Sequence, residues 1–127
     1  MRDMTTPLRR VRHLGAAHDG TSHFWRQRLT AAANLPLVIA FIILVVTLIG
    51  RPRGEVVAIL GSPFVALFLI LMIISISIHM RIGMQVIVED YVHSEGWKVT
   101  ALAANTFFAV AVAAVSTFAI LKLAFGG

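Results

Sequence analysis

Three long runs without a charged residue constrain this chain more than any other feature. They cover residues 29–50, 56–78 and 99–121. At about 1.5 Å per residue, the first run is about 33 Å long as a helix, which is enough to cross a hydrocarbon core roughly 30 Å thick. We therefore predict an all-α membrane protein with three transmembrane helices.

The composition agrees with this prediction and excludes several kinds of site. Hydrophobic residues make up 58% of the chain and charged residues 13%, against about 45–50% and 25% in soluble domains. The absence of cysteine excludes disulfides, thiolate metal sites and an iron–sulfur cluster held in the usual way by this chain. The net charge of +5 does not indicate nucleic acid, because six of the eleven basic residues lie in the first 28 positions, as membrane orientation requires.

Turn residues and charges place the ends of the spans. Ser62 and Pro63 are typical of the N-cap and first position of a helix, so we expect the second helix to begin there, after an apolar lead-in. A basic and irregular tail at 1–28 precedes the membrane anchor at 29–127. The predicted spans are 29–50, 63–89 and 99–121, separated by a charged turn at 51–55 and a loop at 90–98.

The distribution of positive charge predicts the orientation. With three spans, the tail and the second loop share one side of the membrane, and this side carries six arginines and Lys98. The other side carries Arg51, Arg53 and Lys122. The positive-inside rule then places the N-terminus in the cytoplasm.

The third span carries a stripe of small residues. They recur at every fourth position, so they share one helix face, and such stripes let membrane helices approach closely. The stripe consists of Ala101, Asn105, Ala109, Ala113 and Thr117.

Polar residues on the second helix are the candidate functional residues. His79 lies within the membrane, with Gly83 one turn later, and Asp90 and Tyr91 follow 11 and 12 residues after the histidine. Ionisable groups at membrane depth usually face a bundle interior and carry function. Imidazole is the usual axial ligand of b-type haem, and a glycine one turn away leaves room for a flat macrocycle. The alternative that neutral His79 hydrogen-bonds a neighbouring helix stays open.

The remaining polar residues have structural interpretations as well. Asp90 and Tyr91 also fit a solvated acid beside an interfacial aromatic ring. Arg81 points away from His79 and either extends towards the interface or pairs with an acid of a partner. Arg28 and Thr30 fit a positive-inside anchor and a helix start.

The second-helix pattern resembles a known family. A glycine follows the histidine by four residues, and an Asp-Tyr pair follows it by 11 and 12. This pattern resembles that of the D-type membrane-anchor subunits of succinate dehydrogenase, or complex II. Gly20, Arg28 and the following Thr30-Ala31 are similar to this family's entry to the first helix. The resemblance covers residues 20–127.

The resemblance implies roles for individual residues. His79 matches the axial ligand of haem b, and Arg28 matches an arginine near the haem propionates and the quinone pocket. Tyr91 matches a tyrosine that hydrogen-bonds ubiquinone, with Asp90 as its supporting neighbour. His23 stands where some relatives have an aspartate, and Arg81 replaces an aromatic residue of some members.

The resemblance also implies partners and a location. The second haem ligand is expected from a C-type cytochrome b anchor subunit, because the other histidines of this chain lie outside its spans. A flavoprotein subunit and an iron–sulfur subunit would deliver electrons from succinate. Membrane lipid is a further partner, and the bacterial inner membrane is favoured over the mitochondrial one. Two other hypotheses are a cofactor-free structural or assembly membrane protein and half of a small transporter, although the sequence lacks the broken helices and midplane acids of transporters.

Overall fold

The computed structural model describes residues 18–126, with side chains from residue 21 onwards. This part of the chain is helical apart from short turns. The helices are α1 (His18–Leu48), α2 (Arg53–Leu60), α3 (Pro63–Tyr91) and α4 (Glu95–Ala124). Of these, α1, α3 and α4 are long and apolar enough to cross a membrane, which confirms the predicted three-span fold.

The helix α3 lies at the centre of the arrangement and packs against both α1 and α4. A core cluster of Ala66, Leu69, Met72 and Ile120 joins α3 to α4. Most other large apolar side chains are exposed, Phe64 to 89% and Phe107 to 75%. An apolar exterior of this kind fits lipid or partner helices rather than water.

The small-residue stripe of α4 faces α3, a partner helix that the sequence analysis did not specify. Ala109 at the middle of the stripe is only 3% exposed. Asn105, one turn before it, donates a hydrogen bond of 2.9 Å from Nδ2 to the backbone carbonyl of Arg81. The stripe therefore lets the two helix backbones approach closely.

The turn after α1 is stabilised by a glycine and by local contacts of Arg51. Gly50 has a positive φ of 76°, a conformation that favours glycine. Arg51 then donates from Nε to the carbonyl of Thr47 at 2.7 Å and pairs with Glu55 at 3.1 Å. The apolar lead-in predicted before Pro63 is part of the short helix α2. Because α2 begins at Arg53, the turn predicted for 51–55 is wrong from Arg53 onwards.

The helix α3 begins where the sequence predicts, but the side chain of Ser62 does not make the hydrogen bond expected of an N-cap. Ser62 is the N-cap and Pro63 the first helical residue. The Ser62 hydroxyl donates to the carbonyl of Ile59 at 2.7 Å instead of capping α3. It thereby joins the end of α2 to the start of α3.

Two further local predictions were wrong. The irregular tail predicted for 1–28 is helical from His18, because the arginines and Gln27 before Leu29 favour a helix and the glycine at its start costs little; the prediction for 1–17 lies outside the described residues. The loop predicted for 90–98 is much shorter, since α3 continues to Tyr91 and α4 begins at Glu95. An acid in the first turn suits the positive end of the helix dipole.

Candidate cofactor site

The contact between Thr30 and His79 is the centre of the candidate site. Thr30 Oγ1 on α1 lies 3.1 Å from His79 Nδ1 on α3. Both side chains are half-buried. Since α1 and α3 run in opposite directions, this contact also fixes the register in which they pack.

The other hydrogen bonds of Thr30 determine which histidine nitrogen carries the proton. The Thr30 hydroxyl donates to the carbonyl of Arg26 at 2.7 Å and lies 3.2 Å from that of Gln27. Because a hydroxyl has one proton and that proton is directed at the backbone, Oγ1 accepts from His79 Nδ1–H. In the neutral ring, Nε2 then holds the free lone pair.

This arrangement fits an axial haem ligand. A metal-binding histidine commonly donates its other ring N–H to a nearby oxygen, which fixes the ring orientation and raises the basicity of the ligating nitrogen. His79 meets this requirement through a side chain of its own chain. Thr30 is therefore part of the site, and the prediction that it marks a helix start was wrong, since it lies inside α1.

Gly83 lies one turn after His79 and close to α1. A Cβ atom at this position would lie 3.4 Å from Gln27 Nε2. This is an ordinary van der Waals distance to the end of a flexible side chain, so α1 lies beside Gly83 without excluding a small side chain there. The proposed role of Gly83 in admitting a macrocycle stays a prediction.

Further polar side chains lie on the helix faces that carry Thr30 and His79. Three buried oxygen atoms have no hydrogen-bond partner among the described residues; they belong to Gln27, Asn34 and Ser75. Asn34 is one turn beyond Thr30 on α1, and Ser75 is one turn before His79 on α3. The α1–α3 contact is thus a polar seam, which we define by Gln27, Thr30, Asn34, Ser75 and His79.

The three seam residues on α1 can be recognised in the sequence by their spacing. Gln27, Thr30 and Asn34 occur at spacings of three and four residues, so they share one face at the start of an apolar run. The sequence analysis assigned no role to Gln27 or Asn34. The pairing with α3 depends on helix register, which the sequence does not specify.

Arg28 lines a cavity next to the seam. This cavity has a volume of about 390 Å³ and lies between α1 and α3, lined by His23, Phe24, Gln27, Arg28, Ile82 and Val86. The Arg28 guanidinium lies 5.0 Å from the centre of the Phe24 ring, a cation–π contact. The structure therefore brings Arg28 and His23 together at one opening.

Asp90 and Tyr91 lie apart from this cavity. Tyr91 is the last residue of α3 and is 77% exposed, and Asp90 is exposed beside it. The cavity ends at Val86, about 7 Å along the helix from Tyr91. Within this chain the structure does not join the predicted quinone residues to the His79 site.

Comparison with known proteins identifies relatives over nearly the whole chain. The family model described as "Succinate dehydrogenase/Fumarate reductase transmembrane subunit" matches residues 2–120. The succinate dehydrogenase hydrophobic membrane anchor subunit of Paracoccus denitrificans is 31% identical over 121 residues, covering 95% of this chain and 93% of the relative. The succinate dehydrogenase membrane anchor subunit of Reclinomonas americana is 27% identical over 93 residues, covering 71% and 78%. No solved structure matches significantly.

Proposed function

Because the chain belongs to the succinate dehydrogenase/fumarate reductase transmembrane subunit family, we propose that it anchors a succinate:quinone oxidoreductase in the membrane and completes its haem and quinone sites. Its exposed apolar helices support a role as one part of a larger membrane bundle. The partners proposed are a C-type cytochrome b anchor subunit, an iron–sulfur subunit and a flavoprotein subunit. Other subunits are expected for any member of this family.

The Thr30–His79 hydrogen bond is the observation that carries the haem proposal. It leaves His79 Nε2 as the free nitrogen of a half-buried imidazole in a membrane helix. When bound, haem b would supply reversible one-electron chemistry at its iron. His79 would hold the iron on one side, and a histidine of the C-type subunit would hold it on the other.

Arg28 and Gly83 complete the proposed haem environment within this chain. The Arg28 side chain, stacked on Phe24 at the cavity opening, offers a cation for a haem propionate. Gly83 presents no side chain on the face that His79 occupies. Both assignments follow the family resemblance and are compatible with the positions of these residues.

Tyr91 and Asp90 are proposed to form part of a ubiquinone site at the end of α3. The Tyr91 hydroxyl can donate a hydrogen bond to a quinone oxygen, and this bond strengthens as negative charge develops on the oxygen during reduction. The Asp90 carboxylate can accept a hydrogen bond and thereby orient the tyrosine or a neighbouring donor. Since Tyr91 is exposed in this chain, we propose that the partner subunits form the remaining walls of the site.

The distribution of charge supports one orientation. Residues 1–28 and Ser94 at the α3–α4 turn would lie in the cytoplasm, and Arg51, Arg53 and Lys122 on the opposite side of the bacterial inner membrane. Tyr91 would then face the side where the soluble subunits bind. Electrons from succinate would reach the quinone without crossing the bilayer.

Purification of the assembled complex tests this proposal. The chain would carry an affinity tag, be expressed with its neighbouring subunits and be extracted in a mild detergent. We expect the flavoprotein, the iron–sulfur protein and a second anchor to co-purify with a b-type haem spectrum. Co-purification of all subunits without haem would contradict the haem assignment and favour a cofactor-free anchor.

A further inference from the structure

Arg81 is a cation held on the side of α3 opposite His79. The two residues are two positions apart, which separates their side chains by about 200° around the helix. His79 contacts Thr30 on α1 at 3.1 Å, whereas Arg81 Nε donates a hydrogen bond of 3.2 Å to Thr106 Oγ1 on α4. The central helix therefore carries the proposed haem ligand on one face and a positive charge on the other.

A second contact holds the backbone of the same residue. Asn105 Nδ2 donates the 2.9 Å hydrogen bond to the carbonyl of Arg81 that is described above. Asn105 and Thr106 are neighbours in α4, so one turn of this helix holds both the backbone and the guanidinium of Arg81. The position of this charge relative to His79 is therefore set by the packing of α3 against α4.

No carboxylate of the described residues balances the charge of Arg81. The ion pair between described residues is Arg51 with Glu55. The nearest acid on α3, Glu89, lies about 12 Å along the helix and accepts a hydrogen bond of 2.8 Å from Gln85. Because an arginine stays protonated in proteins, Arg81 carries a full positive charge.

Arg28 is a second cation near His79, but its surroundings differ. It lies on α1, where it stacks on Phe24 and is proposed to face a haem propionate. The negative charge of that propionate would offset the charge of Arg28. Arg81 lies on the other side of α3, so the proposed haem environment contains no such counter-charge for it.

We propose that Arg81 raises the reduction potential of the haem held by His79, an inference that rests on the proposed haem site. Reduction adds one electron, delivered through the iron–sulfur subunit, and lowers the charge at the iron by one unit. No bond forms or breaks. A positive charge nearby disfavours the more positive, oxidised form and therefore favours reduction.

The width of the helix sets the size of this effect. Side chains on opposite faces of a helix end about 10–12 Å apart. With an effective dielectric constant of about 20, a unit charge about 12 Å away changes a one-electron equilibrium by about tenfold. The iron lies beyond the imidazole, so we expect a change of about three- to tenfold, which corresponds to about 28–59 mV.

The sign of the effect does not depend on what covers the outer side of the guanidinium. Replacing Arg81 by a neutral residue removes one positive charge whether a lipid, a partner helix or an acid of a partner lies there. In each case the oxidised haem loses a repulsive interaction or gains an attractive one.

A redox titration of the b-type spectrum in the complete purified complex tests the role of Arg81. Arg81→Gln should retain the spectrum and lower the midpoint potential by about 28–59 mV. Arg81→Lys keeps the charge but loses the planar fork, so its potential should stay close to that of the unchanged protein. Arg53→Gln is the control for loss of a charge, because Arg53 is an exposed arginine at the other end of the bundle, and it should leave the potential unchanged.

A variant of Thr106 tests the same charge without removing Arg81. Thr106→Glu places a carboxylate beside the guanidinium and balances its charge, so the potential should fall by a similar amount. Thr106→Gln is the neutral counterpart and should have little effect.

The possible results separate this role from the haem assignment itself. A b-type spectrum with an unchanged potential in both Arg81→Gln and Thr106→Glu would overturn the role of Arg81 and leave the proposed function intact. Equal shifts in Arg81→Gln and Arg81→Lys would overturn it as well, since packing would then be responsible. Absence of b-type haem from the unchanged complex would overturn the haem assignment and, with it, the role of Arg81.

Discussion

Thr30 and His79 are 49 positions apart in the sequence, and their side chains are joined by a hydrogen bond of 3.1 Å between Oγ1 and Nδ1. The Thr30 proton is directed at the Arg26 carbonyl, so His79 is the donor. One threonine thus connects the first helix to the proposed haem ligand. It also determines which imidazole nitrogen is free for iron.

Replacing Thr30 by valine should change the electronic properties of the haem without removing it. A histidine that donates to an oxygen is a stronger ligand for oxidised iron, so loss of this bond should raise the haem midpoint potential. The expected shift is on the order of tens of millivolts, corresponding to a hydrogen bond of about 1 kcal/mol. A redox titration of the b-type spectrum measures it.

The matched variant for this prediction is Thr30→Ser. Serine keeps the hydroxyl and loses one methyl group, so the potential should stay close to that of the unchanged protein. If Thr30→Ser and Thr30→Val shift the potential equally, packing rather than the hydrogen bond is responsible.

Replacing Tyr91 by phenylalanine should lower the rate of quinone reduction. The phenolic hydroxyl is the group proposed to donate to the quinone oxygen, and removal of such a donor typically costs a factor of about 10²–10³ in other enzymes. Succinate oxidation with an artificial soluble acceptor should be unchanged, because it does not use this site. Trp97→Phe, a change of another exposed aromatic residue near the same membrane boundary, is the control, and equal loss of both activities in Tyr91→Phe would argue against a quinone role.

Gly61 is needed for the close packing of α2 against the end of α4. A Cβ atom at Gly61 would lie 2.7 Å from the backbone carbonyl oxygen of Leu123, which cannot move as freely as a side chain. We expect Gly61→Ala to destabilise the anchor by about 1–3 kcal/mol, as overpacking does. Thermal unfolding in detergent would measure this effect.

Gly54 provides the internal comparison for this measurement. It lies within α2, and a Cβ atom there would meet nothing within 4 Å. Gly54→Ala should be neutral or stabilising by about 0.4–1 kcal/mol, through the loss of unfolded-chain freedom. Equal effects of the two substitutions would show that the Gly61–Leu123 approach is unimportant.

The proposed orientation can be tested with single cysteines, because the chain contains none of its own. Arg53→Cys lies at the first residue of α2, between α1 and α3, and Ser94→Cys lies in the turn between α3 and α4. In intact cells, a membrane-impermeant thiol reagent should label the first and leave the second unlabelled until the membrane is opened. Labelling in the reverse pattern would place the N-terminus outside the cytoplasm.

The sequence predicted the three helices because a membrane-spanning helix satisfies its own backbone hydrogen bonds and needs only a long apolar run. The α4 stripe was also predictable, since its spacing puts Asn105 and Ala109 on one face. The loop predicted for 90–98 was less accurate, because the structure has only a short turn there and α4 begins at Glu95.

The seam between α1 and α3 could not be predicted in the same way. His79 was identifiable as a polar residue in an apolar run, but its partner Thr30 depends on how far one helix is shifted along the other. That shift is set by packing, including the approach of Gln27 to Gly83. A threonine that hydrogen-bonds its own helix backbone gives no sign in the sequence that it also accepts from a distant side chain.

The assignment of His79 as a haem ligand is tested most directly by the reduced-minus-oxidised spectrum of the purified complex carrying His79→Ala. The account predicts loss of the six-coordinate b-type spectrum in this variant and its full retention in His93→Ala, where the exposed histidine just beyond α3 is replaced. A His79→Ala complex whose haem spectrum is the same as that of the unchanged protein would contradict the assignment.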